Sequence, residues 1–294
     1  MSFSCEKPKV AELELLSEHG CFGGRQLFYR HSSTEIGLPM RFALFMPPRG
    51  SSAGLPILVF LSGLTCTEET FTMKAGAQRM ASQFGIALLV PDTSPRGAGV
   101  PGEADAWDFG VGAGFYLDAT HEPWAKHWRM ESYLMHELLP LVVEKFSIDV
   151  SRMGICGHSM GGHGALTLAL RHRDRFASVS AFAPIAAPMQ APWGKKAFSG
   201  YLGNDVARWE QHDASVLMSR QTTPPFPHGL LIDQGLVDPF LPEQLYPAAL
   251  EAACQKVNQP LTLRYHEGYD HGYYFIATFV DDHLRFHQDA FRRS

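Results

Sequence analysis

The pentapeptide Gly157-His158-Ser159-Met160-Gly161 follows a short apolar run, Met153 to Cys156, and opens into an Ala/Leu-rich stretch, Gly162 to Leu170. A G-x-S-x-G sequence between a buried strand and a helix describes a nucleophile elbow. Its spelling follows from sterics. The serine occupies a strained turn, and glycines two residues to either side let strand and helix pack closely around it. The helix that follows presents a free backbone N–H and the positive end of its dipole where an oxyanion would form.

The rest of the chain reads as strands alternating with helices. Arg25–Tyr29 and Met40–Met46 form an opening antiparallel pair. Six short apolar runs follow: Ile57–Leu61, Ile86–Val90, Met153–His158, Val179–Ala183, Leu230–Asp233 and Leu261–Tyr265. Near-continuous apolar runs suit strands buried on both faces of a mostly parallel sheet of about eight strands. Helical stretches lie between them at Lys74–Phe84, Met130–Phe146, Gly162–Arg171, Gln244–Asn258 and Tyr273–His287. The expectation is an α/β-hydrolase fold, with helices on both faces and ligands at the carboxyl ends of the strands. One domain spanning residues 1–294 fits this length. Residues 93–123 and 184–227, rich in Gly, Pro, Trp and polar side chains, read as cap-like loops above the site.

Nucleophilic catalysis by serine needs a base, and a carboxylate to orient that base, in the chain order Ser, acid, His. After Ser159, the segment Leu230 to Phe240 offers Asp233, closing a strand, and Asp238, in the loop beyond. The loop position favours Asp238 and leaves Asp233 a structural role. For the base, His271 sits on a Gly-flanked loop just before the last helix, whereas His266 is held at the strand end. His283 and His287 are expected on the surface of that helix. The loop Ser62 to Thr67 would supply a second oxyanion donor, so the N–H groups of Leu64 and Met160 are assigned to that role.

Other readings are narrower. Hydrophobic residues make up 45% of the chain, and a net charge of −5 without a basic run argues against nucleic acid or an anionic membrane as partner. The first residues, Met1 to Pro8, carry neither a basic nor an apolar signal region, and no apolar run approaches the about 20 residues of a membrane-spanning helix. Five scattered cysteines without a C-x-x-C read as reduced thiols, which places the protein in the cytoplasm. Fourteen histidines show no zinc spacing, so no metal and no cofactor are expected. His158 reads as a packed neighbour of the site, and Gly110 to Gly114 lacks the context of a nucleotide loop.

Long strings of the chain resemble the S-formylglutathione hydrolase, or esterase D, family. They are Leu61 to Glu68, Pro91 to Gly97, Trp107 to Gly110, Gly114 to Thr120, Pro123-Trp124, Gly157 to Gly162, Phe198 to Gly203 and Gly268 to His271. The resemblance runs from about Met40 to His287 and implies Ser159, Asp238 and His271 as the triad. One departure is Gly272, where a serine is expected in many relatives. The resemblance implies hydrolysis of the thioester S-formylglutathione to formate and glutathione, with a broad carboxylesterase or acyltransferase on the same scaffold as the alternative. A tight acyl pocket would be lined by Trp107, Phe109, Trp124 and Trp193. The anionic glutathionyl group would meet Arg96, Lys126, Arg129, Lys195 and Lys196. Cys66 is implied as a thiol near the site whose alkylation blocks it without being catalytic, and homodimerisation is a family-level expectation.

Overall fold

The computed structural model describes residues 13–48 and 54–293; the N-terminal reading and Cys5 lie outside them. Nine strands form one sheet: β1 (Glu14–Cys21), β2 (Gly24–Ser32), β3 (Pro39–Met46), β4 (Leu55–Leu61), β5 (Ala87–Pro91), β6 (Ile148–His158), β7 (Ser178–Phe182), β8 (Leu230–Gly235) and β9 (Leu261–His266). Their order is β1-β2-β3-β5-β4-β6-β7-β8-β9. The first three strands and the β3–β5 pair are antiparallel, and every pairing from β5 through β4 to β9 is parallel.

All eight expected runs are strands. β7 and β8 are buried along their whole length, as an apolar run covered on both faces requires. The ninth strand, β1, is mostly exposed and has no apolar face to betray it in sequence. It is held as an edge strand by a two-residue hairpin, Phe22-Gly23, with both residues at positive φ (47° and 78°). That geometry is the turn that matches the strand twist.

The helices are α1 (Glu68–Lys74), α2 (Gln78–Phe84), α3 (Met130–Ser132), α4 (Leu139–Lys145), α5 (Met160–Arg171), α6 (Pro192–Leu202), α7 (Val206–Trp209), α8 (Ala214–Ser219), α9 (Pro247–Lys256) and α10 (Tyr273–Phe291). The helix expected over Lys74–Phe84 is two helices broken at Gly76, which has φ 70°. Between α3 and α4 the chain makes a π-helical segment, Tyr133–Leu138, just before Pro140, whose ring and missing N–H disrupt regular α-helical bonding.

The second cap stretch is more ordered than expected, since α6, α7 and α8 all fall within residues 184–227. Pro192 starts α6 at a first-turn position where proline costs nothing. Asp205 and Asp213 cap α7 and α8 by accepting first-turn N–H bonds. Tyr201 of α6 joins the two cap stretches. Its hydroxyl accepts from Gly110 N (2.8 Å) and donates to Ala113 O (2.9 Å), while its ring stacks on Phe109 at 4.5 Å.

His283 and His287 are not on the surface: they are 1% and 0% exposed. α10 lies against β7, and the polar face of that strand receives them. His287 is hydrogen-bonded to Ser178 Oγ (2.7 Å) and Ser180 Oγ (2.8 Å). His283 is hydrogen-bonded to Ser180 Oγ (2.9 Å) and Asp233 Oδ2 (3.2 Å). Gly154 of β6 makes the space, because a Cβ there would lie 2.7 Å from His287 Nδ1. Arg264 completes the cluster with two 2.6 Å bonds to the Asp233 carboxylate. Burial alone would raise the Asp233 pKa, but His283 and Arg264 hold its carboxyl well below the usual carboxylate range.

Asp233→Ala leaves His283 facing a buried gap without its anion and Arg264 with Asp282 as its remaining partner. It should lower stability by about 3–5 kcal/mol, the usual range for breaking a buried pair from one side. Urea denaturation measures this, and an unchanged midpoint would refute the role given to the cluster.

Candidate active site

Strand order places the site. From β4 the chain moves one way to β5, and from β6 the other way through β7 to β9, so β4 and β6 flank the switch point of the sheet. A crevice opens there, at the carboxyl ends of the strands. The loop Ser62–Thr67 leaves β4 on one side of it, and His158-Ser159 leaves β6 on the other.

Ser159 has φ 57° and ψ −119°, a positive φ that a non-glycine residue adopts only under constraint. The constraint comes from both glycines of the pentapeptide. A Cβ on Gly157 would lie 2.0 Å from Gly161 O, and a Cβ on Gly161 would lie 1.9 Å from Leu61 O. The turn is pinned further by Ser159 N donating to Phe182 O (3.0 Å) and Ile185 N donating to Ser159 O (3.2 Å). α5 starts at the next residue, so Met160 N–H is a first-turn donor without an intrahelical acceptor.

The acid beside His271 is Asp238. Its Oδ2 lies 2.6 Å from His271 Nδ1 and accepts from Gln234 Nε2 at 3.2 Å, while Oδ1 accepts from Phe240 N at 2.8 Å. Successive strand residues face opposite sides of a sheet, so Gln234 points to the Asp238 loop and Asp233 points away, into the Arg264–His283 cluster. His266 goes with Asp233, at 3.3 Å, and stacks on Phe279. The His271 ring lies 4.5 Å from that of His158, the residue before Ser159, which brings the imidazole to the elbow. Burial and the adjacent His271 push the His158 pKa well below its ordinary value, so His158 stays neutral.

The loop opposite is a tight turn closed by Cys66 N donating to Gly63 O (3.3 Å). Gly63 lies against the nucleophile: a Cβ there would be 3.2 Å from Ser159 Cβ. Thr65 has φ 67°, a left-handed conformation that costs a β-branched residue about 1–3 kcal/mol. Its N–H donates to Gly112 O (2.9 Å), and no described residue accepts from Leu64 N. The N–H groups of Leu64 and Met160 are therefore two unpaired donors on either side of the crevice.

The remaining expected residues divide. Trp193 packs on Phe240 (4.7 Å) and edge-on to Trp107 (5.5 Å), and Phe240 packs on the His271 ring (5.0 Å). These aromatics form one wall running from the imidazole to the exposed Trp107. Phe240 was not anticipated, although it stands only two residues beyond Asp238. Trp124 is buried among Phe109, Trp128 and Tyr201, and serves the packing of the cap. Lys126 is exposed on a short 3₁₀ turn, Trp124–Lys126. Arg129 pairs with Glu35 (3.1 Å), and Lys196 pairs with Asp108. Arg96 is engaged by Asp92 at 2.7 and 2.9 Å and by the Cys66 carbonyl at 3.2 Å. Cys66 is half-buried, and burial pushes its thiol up, away from the reactive thiolate. Among the described residues no cluster of three His, Cys, Asp or Glu side chains could hold a metal.

With this geometry in view, comparison with known proteins is decisive. A family model described as "Putative esterase" matches residues 33–286. The S-formylglutathione hydrolase of Arabidopsis thaliana is 54% identical over 280 residues, covering 94% of this chain and 98% of that protein. The chain belongs to the S-formylglutathione hydrolase family. The enzyme of that name from Paracoccus denitrificans (strain Pd 1222) is 50% identical over 276 residues, covering 94% and 97%. The solved S-formylglutathione hydrolase of Agrobacterium tumefaciens superposes with a TM-score of 0.91 at 47% identity, covering 94% of this chain and 99% of that one. Three of the strings that carried the family resemblance meet at this site, with 61–68 and 91–97 joined in the loop opposite Ser159 and 268–271 delivering the imidazole.

Next to this site, in the first turn of α5, His163 is buried between Phe115 and Phe198. Burial pushes its pKa down to about 3. Between pH 6.5 and about 3 the unfolded chain binds a proton at this residue that the folded chain refuses, so stability falls as pH drops through that window. At pH 5 the penalty is about 2 kcal/mol. His163→Phe should flatten the decline between pH 7 and 5 by that amount in urea titrations; a parallel curve would mean that the imidazole titrates normally.

Proposed function

We propose that the protein hydrolyses S-formylglutathione to formate and glutathione, with Ser159 as nucleophile, His271 as base and Asp238 as its orienting carboxylate. The observation that carries this is the 2.6 Å His271 Nδ1–Asp238 Oδ2 contact beside a serine held at positive φ on a helix N-terminus. Asp238 accepts a hydrogen bond from Nδ1–H, which keeps that proton on Nδ1 and leaves Nε2 free to take a proton from a nucleophile. Ser159 Oγ attacks the thioester carbonyl and passes its proton to His271. The resulting oxyanion is received by Leu64 N–H and Met160 N–H. Collapse expels the glutathione sulfur, which takes the proton from the imidazolium. Water, deprotonated by the same imidazole, then attacks the formyl ester, and collapse releases formate while Ser159 Oγ takes the proton back from the imidazolium. Every proton moves through one nitrogen, and no cofactor enters the sequence.

The substrate assignment rests on the family, since about 50% identity over 94% of the chain is shared with proteins of that name. The wall of Trp193 and Phe240 beside the imidazole suits a small acyl group. Free thiols at Cys21, Cys66, Cys156 and Cys254 suit a reducing, cytoplasmic setting. No helix among the described residues is long and apolar enough to cross a membrane.

Two measurements test this reading. Ser159→Ala should abolish turnover, and Asp238→Asn should lower kcat by about 10³–10⁴-fold by favouring the wrong imidazole tautomer. Comparison of kcat/KM for S-formylglutathione, S-acetylglutathione and p-nitrophenyl acetate should show a strong preference for the formyl thioester. Equal rates on all three would retain the serine mechanism and reject the substrate in favour of a broad carboxylesterase.

A further inference from the structure

The turn that presents Leu64 N–H is held in an unfavourable conformation by bonds from outside it. Thr65 sits at φ 67°, and its branched side chain gives the backbone a standing incentive to relax to negative φ. Three contacts oppose relaxation, and each joins the turn to a partner outside it. Gly112 O accepts from Thr65 N (2.9 Å). The carbonyl of Cys66, the next residue, accepts from Thr93 Oγ1 (2.5 Å) and from Arg96 Nη2 (3.2 Å). Arg96 in turn is fixed by Asp92, which takes two bonds at 2.7 and 2.9 Å from Nε and Nη2. Asp92 is anchored at the end of β5, with its Oδ1 also accepting from Thr93 N (2.7 Å). A guanidinium bound at two points by a carboxylate has a fixed plane and direction, which a lysine ammonium would lack.

We infer that Arg96, clamped by Asp92 onto the Cys66 carbonyl, is a positioning residue that holds the Gly63–Cys66 turn in the shape aiming Leu64 N–H at the reacting carbonyl. This assignment rests on the Ser159 mechanism proposed above and adds to it a residue that touches neither substrate nor triad. It also gives Arg96 a function other than pairing with a carboxylate of the glutathionyl group, and the two functions have opposite kinetic signatures. An oxyanion donor acts chiefly in the transition state, so disturbing it lowers kcat for every acyl substrate. A partner for the glutathionyl group acts on binding, and only for substrates that carry that group.

The experiment compares Arg96→Ala, Arg96→Lys and Thr93→Val with the unaltered protein, on S-formylglutathione and on p-nitrophenyl acetate. All rates are taken at a temperature where circular dichroism shows each variant folded. Arg96→Ala should lower kcat on both substrates by a similar factor, about tenfold to a hundredfold, with KM for S-formylglutathione moving less than about threefold. Arg96→Lys should fall between the two, because it keeps the charge and loses the fork. Thr93→Val removes the second donor to the same carbonyl at nearly constant volume, and should show the same signature should Arg96→Ala not fold. A rise in KM confined to S-formylglutathione, with the ester unaffected, would overturn the assignment in favour of substrate binding. Unchanged rates on both substrates would overturn it outright. Ser159→Ala, measured alongside, separates the two levels: activity surviving there removes the mechanism itself, while its loss beside an unaffected Arg96→Ala removes only the positioning role.

Discussion

Everything at this site depends on how closely one turn of backbone approaches another. Gly157 meets Gly161 O and Gly161 meets Leu61 O at distances where no side-chain carbon fits. That approach forces Ser159 to positive φ, seats α5 directly behind it, and brings the end of β4 alongside the end of β6. The constraint is steric before it is chemical. A serine with a smaller departure from regular backbone would not stand free of its own strand, and the first-turn N–H of α5 would not face the same crevice. The second strained point, Thr65, sits across the crevice and is secured by loops rather than by glycines. The two halves of the candidate oxyanion site are therefore stabilised by different means, one by packing and one by hydrogen bonds drawn from residues 92–112.

β8 shows how one strand serves two purposes. Asp233 and Gln234 are neighbours in sequence and face opposite sides of the sheet. One neutralises a buried cluster with Arg264 and His283; the other steadies Asp238, whose carboxylate is hydrogen-bonded to His271. α10 mirrors this division, with His271 just ahead of its first turn and His283 and His287 buried against β7. Burying the second cluster costs desolvation, and its pairs are arranged so that few polar atoms lose their partners.

Much of this architecture was legible in the chain. The inner parallel strands, β4 to β8, announce themselves because their apolar runs are buried on both faces, and the pentapeptide specifies the elbow because only glycine tolerates the contacts at 157 and 161. β1 was not legible, since an exposed edge strand has no hydrophobic pattern to read. α6 to α8 were hidden by Pro192 and by aspartates that look like loop residues but act as a first-turn proline and as caps. The burial of His283 and His287 could not be read from their helix, because what receives them is Ser178, Ser180 and Asp233 on other strands, up to about a hundred residues away. Asp238 was favoured over Asp233 by loop position and by resemblance to a family; strand alternation is the physical reason. Arg96 was legible only as a cation. Its guanidinium is turned onto the protein's own backbone, a fact that composition and spacing do not carry.

The distribution of tryptophan has an optical consequence. All five, Trp107, Trp124, Trp128, Trp193 and Trp209, lie outside the strands, within residues 93–123 and 184–227 or in the short connection that follows the first of these. Intrinsic tryptophan fluorescence from this protein is therefore a signal of the segments between strands, while far-ultraviolet dichroism is dominated by the sheet and its flanking helices. Followed together through denaturation, the two signals divide the molecule along a boundary its own chemistry has drawn, and any gap between them measures how independently these connecting segments can loosen from the scaffold that bears them.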